Sequence, residues 1–213
     1  MPKIAELLAG LYVKPLHASL VVNRRVEILK NHLLSFIPKD MPLTGLDVGC
    51  GPGTIASEMQ KERKNLQFIG VDILSRPTSA IKTVIYDGKT IPFPDKSFEF
   101  IMLIDVLHHT EDAEAILLEC LRVSSDFILI KDHICNSAVD KYLLRFMDWI
   151  GNRAHGVNLP YNYLSIQQWQ ALYQRLNLKP VEYLEQLNLY PVPFSWIFDQ
   201  HLHFISKLVP TDR

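Results

Sequence analysis

The stretch Leu46-Asp47-Val48-Gly49-Cys50-Gly51-Pro52-Gly53 decides the reading of this chain. Three apolar or acidic residues suited to a buried strand run into three glycines at every second position. A helical pattern over Thr54 to Arg63 follows at once. A strand, a glycine turn and a helix in that order let bare backbone come close to a ligand at the turn. Nineteen residues after Gly53, Asp72 closes the next apolar run, Leu66 to Val71. At that point of a strand–helix–strand unit a carboxylate can accept hydrogen bonds from ribose hydroxyls.

Working outward, the same alternation continues. Ile81 to Tyr86, Phe98 to Ile104 and Phe127 to Lys131 read as further strands, and Asp112 to Arg122 as an amphipathic helix. Two links hold prolines in place of a full helix, Leu74 to Ala80 with Pro77 and Gly88 to Lys96 with Pro92 and Pro94. Before the first strand, apolar residues at Val22, Val26, Leu29, Leu33 and Phe36 predict a leading helix that ends at Pro38. After Lys131 the pattern predicts a helix over Val139 to Ile150. A segment from Gly151 to Tyr163 punctuated by Gly, Asn and Pro comes next, then a helix begun by a Ser165/Gln168 capping box. The strands Pro180 to Leu187 and His201 to Leu208 would pair as a long hairpin.

The expected fold is therefore α/β: a three-layer sandwich around a seven-stranded, mostly parallel sheet whose last strand is antiparallel. The expected organisation is one domain over residues 1–213. It comprises a leading helix (16–37), a cofactor-binding half (44–133), a substrate lid or insertion (138–165) and a helix with the C-terminal hairpin (166–213).

A nicotinamide-binding turn would need a glycine where Thr54 stands, and no Gly-Lys-Ser/Thr follows for a P-loop. The net charge of −1, with both signs interspersed, gives no footprint for nucleic acid. Cys50, Cys120 and Cys135 form no pair with metal-ligand spacing, so a reducing, cytoplasmic setting and no metal are expected. Met1 to Val13 is interrupted by Glu6 and does not read as a signal peptide. No uncharged apolar run reaches the length of a membrane span.

Leu46 to Gly53 resembles the first motif of class I, Rossmann-like S-adenosylmethionine-dependent methyltransferases, and Gly70-Val71-Asp72-Ile73 resembles the second. Tyr86-Asp87-Gly88, Ile91 to Phe98 and Asp105-Val106-Leu107-His108-His109 continue the resemblance, which covers Thr44 to about His133; over this half the chain closely resembles small-molecule methyltransferases of the quinone-biosynthesis type. The resemblance implies S-adenosylmethionine as cofactor and S-adenosylhomocysteine as product. It implies contacts from Asp47, Gly49, Cys50, Gly51, Gly53, Asp72, Ile73, Asp87, Gly88, Ile104, Asp105 and Leu107. Asp72 would take the ribose, Asp87 the adenine amino group, and Ile104 to Leu107 would flank the sulfonium.

Methyl transfer is a direct displacement, so the protein has to align the acceptor and, for a phenol, alcohol or amine, take up a proton. His108 and His109 after the fourth strand and His133 after the fifth are the catalytic candidates, at the edge where open α/β sheets bind ligands. Arg145, Arg153, His155, Tyr161 and Tyr163 are candidates for acceptor contacts. A metal reading would gather Asp105, His108, Asp132 and His133, with only topological proximity behind it. The expected enzyme methylates a small, apolar or aromatic acceptor, as a monomer or homodimer without nucleic acid. A non-catalytic cofactor-binding partner subunit and an RNA methyltransferase are the alternatives.

Overall fold

The computed structural model describes residues 15–152 and 160–211. The leading helix α1 spans Pro15–Phe36, and β1 (Leu43–Val48), α2 (Thr54–Glu62), β2 (Leu66–Asp72) and β3 (Lys82–Ile85) follow. Next come β4 (Phe98–Ile104), a single 3-10 turn (Leu107–His109), α3 (Ala113–Val123) and β5 (Ser124–His133). The chain closes with α4 (Ala138–Asn152), α5 (Ile166–Arg175), β6 (Leu178–Glu185), the short α6 (Ser195–Phe198) and β7 (His203–Pro210). No described residues between β2 and β3, or between β3 and β4, form a helix, as the prolines of both links predict.

The seven strands lie in the order β3-β2-β1-β4-β5-β7-β6, and all pairs from β3 to β5 are parallel. β7 runs antiparallel to both neighbours. This is the expected seven-stranded, mostly parallel sheet. β6 sits two residues earlier and β7 two residues later than their apolar patterns suggest, and β5 runs past Lys131 through Asp132 to His133. Pairing with β7 extends β5 that far, register His133↔His203, which local patterning could not show.

Side chains alternate across the sheet into two cores. Leu46, Val48, Ile101, Leu103, Ile128 and Ile130 pack with Leu117 of α3 and Trp169 and Leu172 of α5 on one face. Phe100, Met102, Phe127 and Leu129 pack with Leu29 and Leu33 of α1 and Met59 of α2 on the other. Phe100 stacks on Phe127 at 5.1 Å between centroids and meets Phe68 edge-on at 5.5 Å. Gly45 makes room for that aromatic row, since a Cβ there would lie 2.4 Å from Phe100 Cζ. The expected capping box forms: Ser165 Oγ accepts from Gln168 N, and the Gln168 side chain accepts from Ser165 N.

Trp149 is 41% exposed. It belongs to an outward apolar stripe of α4 with Val139, Tyr142 and Phe146, because the helix turns Leu144 and Asp148 inward. No helix among the described residues is long and apolar enough to cross a membrane.

Candidate active site

The carboxyl ends of β1, β2, β4 and β5 converge on one edge of the sheet, and the residues with chemistry sit there. Gly49, Gly51 and Gly53 all have positive φ, +67°, +55° and +69°. Two of them are fixed by packing. A Cβ on Gly49 would lie 2.7 Å from Val106 Cγ2, and one on Gly53 would lie 2.5 Å from Ile81 Cγ1. At Gly51 a Cβ would meet nothing within 4 Å, so this is where the turn lies open to a ligand. Gly53→Ala is therefore expected to destabilise the protein by about 2 kcal/mol or more, combining left-handed strain with overpacking. Denaturant unfolding of the variant checks this.

Asp72, buried at the end of β2, accepts from Gly51 N at 2.7 Å through Oδ2 and from Leu74 N at 2.8 Å through Oδ1. Gly53 occupies the N-cap of α2 without a side-chain cap bond, so the helix offers its first amide groups at the same edge. Asp47 is also buried, and burial, with the charge of Asp72 beside it, pushes its pKa up to about 8.

A hollow of about 160 Å³ adjoins Gly51, lined by Ser75, Arg76, Ser79, Thr83 and Ile85. A larger one, about 690 Å³, lies by Asn65 at the amino end of β2, the wrong edge for a ligand in an open α/β sheet. Ile73 is exposed, and its Cγ2 would lie 3.1 Å from a Cβ on Gly88, which places the Asp87–Gly88 turn beside it. Asp87 is exposed and accepts from Lys89 N and Thr90 N through one oxygen, leaving the other to solvent.

Beyond β4, Asp105 has φ +55° and accepts hydrogen bonds from Arg25 of α1 through Oδ2 and from Lys131 of β5 through Oδ1. Burial disfavours its charge, but Lys131 and Arg25 outweigh burial and hold the carboxyl well below the usual range. Each of its oxygens thus holds one cation. Arg25, Lys131 and His203, whose Nδ1 lies 3.3 Å from Lys131 Nζ, were not singled out from the sequence. Lys131 carried a signal, a lysine inside the apolar run Phe127 to Ile130.

The three catalytic candidates stand together. The rings of His108 and His109 are 4.0 Å apart, and those of His108 and His133 4.6 Å. Asp132 bonds His108 Nδ1 at 2.6 Å and accepts from Leu107 N at 3.0 Å. Burial works against a charge on His108, but Asp132 and Asp148 prevail and raise its pKa. Burial, aided by His108, lowers His109 to about 4. Tyr163 stacks on His108 at 5.5 Å and donates its hydroxyl to Asp148, a residue of α4 that sequence reading passed over. Arg145 and Tyr161 pair with each other, the guanidinium 4.6 Å from the ring centroid. Arg153 and His155 lie outside the described residues.

Known proteins resemble this chain in both sequence and fold. Residues 46–126 match the methyltransferase domain family. Ajmaline N-methyltransferase of Rauvolfia serpentina is 26% identical over 112 residues, 46% of this chain and 38% of that protein. The tRNA (carboxymethyluridine(34)-5-O)-methyltransferase of Schizosaccharomyces pombe is 35% identical over 77 residues, 33% of this chain and 32% of that protein. The chain spans less than half the length of either relative. Among solved structures, a SAM-dependent methyltransferase of Thermotoga maritima, described as a possible histamine N-methyltransferase, superposes with a TM-score of 0.63 at 15% identity. That match covers 93% of this chain and 96% of the other. Residues 46–126 thus match a methyltransferase domain, and the chain as a whole has the fold of Rossmann-like methyltransferases.

Proposed function

We propose that the chain binds S-adenosylmethionine at the Gly49–Gly53 turn and transfers its methyl group to a small acceptor, apolar or aromatic, at the adjoining histidine cluster. The observation that carries this reading is the open cradle at Gly51, joined to the buried Asp72 carboxylate through Gly51 N. A nucleoside with a carboxylate-binding hydroxyl pair and a positive centre suits that combination of bare backbone and buried acid. Asp47, Cys50, Gly49 and Gly53 would shape the turn, Ile73 and the Asp87–Gly88 turn would border the base, and Ile104 to Leu107 would border the transferred group.

When bound, the cofactor supplies an electrophilic methyl on a sulfonium. The chain's part is to orient the acceptor, exclude water and hold the acceptor's proton. His108 Nε2 and His133 Nδ1 are buried without hydrogen-bond partners, so the cluster has nitrogen valences to offer an acceptor. Tyr163, and Tyr161 with Arg145 over its ring, stand beside them as acceptor wall. Support for a small acceptor is the tightness of this cluster and a net charge of −1, which favours no phosphate backbone. The likeness to a tRNA enzyme keeps RNA as the second reading.

Calorimetry with S-adenosylhomocysteine tests the cofactor assignment. The native chain is expected to bind saturably, and Asp72→Ala about 10- to 100-fold more weakly, the worth of a charge-assisted hydrogen bond or two. A thermal melt of the variant controls for folding. No binding by the folded native chain sinks the proposal. S-adenosylhomocysteine formed with an RNA fraction but not with a small-molecule extract would replace the acceptor class, and binding without turnover in any extract would favour a non-catalytic partner subunit.

A further inference from the structure

The histidine cluster holds more unpartnered nitrogen than proton transfer to one acceptor requires. His108 Nε2 and His109 Nδ1 are buried and make no hydrogen bond, whereas buried polar atoms in folded proteins nearly always have a partner. His108, His109 and Asp148 each offer one ligand atom, and the three atoms lie within 4.8 Å of one another. We propose that His108, His109 and Asp148 form a binding site for a divalent transition-metal cation.

The geometry of the pair His108 and Asp148 speaks for a shared cation. His108 Nε2 lies 3.4 Å from Asp148 Oδ2. That is too long for a charge-assisted N–H···O bond of about 2.7–2.9 Å. It is close to the separation of about 3.4 Å that two ligands have when each binds one tetrahedral ion at about 2.1 Å. Both ligands are also held from behind. Asp132 bonds His108 Nδ1 at 2.6 Å, which directs the Nε2 lone pair outward, and Tyr163 donates its hydroxyl to Asp148. A carboxylate behind a histidine and a hydrogen bond behind a carboxylate are how metal ligands are oriented. The half-buried His109 ring then closes the set from the outer side.

A second trio, Asp105, His108 and His133, is equally compact. Its carboxylate already neutralises Arg25 and Lys131, so a cation there would face two positive groups. His108 instead has the carboxylates of Asp132 and Asp148 as neighbours, and Arg25, although it interacts electrostatically with Asp148, forms its ion pair with Asp105. Two imidazoles and one carboxylate suit zinc, cobalt, nickel or iron(II) better than calcium or magnesium, and leave positions for water or an acceptor oxygen. The sequence expectation of no metal rested on spacing along the chain, and this trio draws on residues 40 positions apart.

Chelator-dialysed protein titrated with Co²⁺ is the test, read by visible absorbance and by bound cobalt per chain. The expected result is one saturable site with ligand-field bands, weakened at least about tenfold in His109→Gln and in Asp148→Asn and unchanged in His32→Gln. If either variant fails to fold, the native titration decides. A native chain without a saturable site, or folded variants that bind as the native chain does, overturns the proposal. S-adenosylhomocysteine binding by the same metal-free protein separates the two readings: cobalt without nucleoside sinks the cofactor assignment, and nucleoside without cobalt sinks the metal site.

Discussion

Asp105→Asn is expected to destabilise the protein by about 3–5 kcal/mol, the usual cost of removing one member of a buried ion pair. Lys131 is fully buried, and Asp105 is the carboxylate that meets it, shared with the guanidinium of Arg25. Asparagine keeps the shape and tolerates the left-handed backbone at φ +55°. The substitution therefore removes charge alone, leaving two cations facing each other at the end of β5. Urea unfolding measures the loss. A further substitution, Lys131→Met, is expected to restore part of it, because it removes the stranded charge and fills the space with apolar atoms. Stability unchanged in Asp105→Asn would show that the triad contributes nothing to the native state.

The second large effect is a pH dependence centred on Asp47. Its folded pKa is raised to about 8 by burial and by Asp72, while in the unfolded chain it is an ordinary carboxyl. Between those values the native state holds a proton that the unfolded state has lost, so the contribution of Asp47 to stability falls as pH rises. The slope is about 1.4 kcal/mol per pH unit for one such proton. Relative to Asp47→Asn, which cannot ionise, the native chain should lose that much for each unit between about pH 5 and pH 7. The difference should level off above about pH 8, where both states are ionised. Stability profiles of the two proteins measured in parallel cancel the other titrating groups. A parallel pair of curves would mean that Asp47 titrates as an ordinary carboxyl.

The glycine turn was legible in the sequence because its determinants are local. Gly49, Gly51, Gly53 and the strand ending at Asp72 specify a strand–turn–helix–strand unit within 27 residues of chain, and parallel β1 and β2 then bring Gly51 N to Asp72. What the glycines do was less legible. The sequence suggested that all three clear space for a ligand, yet only Gly51 faces open space, while Val106 and Ile81 press on the other two. Val106 and Ile81 come from distant loops, and no local pattern announces them.

By itself the sequence determined the α/β alternation, the two helix-free links, the capping box at Ser165 and the glycine turn with its acid. Each follows from dihedral preference, hydrophobic period or side-chain capping over a few residues. The tertiary structure alone decided how polar groups meet at the carboxyl edge. Asp105 finds Arg25 80 residues before it and Lys131 26 residues after it. His108 finds Asp132 24 residues on, and Asp148 arrives from a helix whose outward stripe is apolar. The physical reason is that a buried charge needs a partner close in space rather than in sequence, and sheet order sets which charges become neighbours.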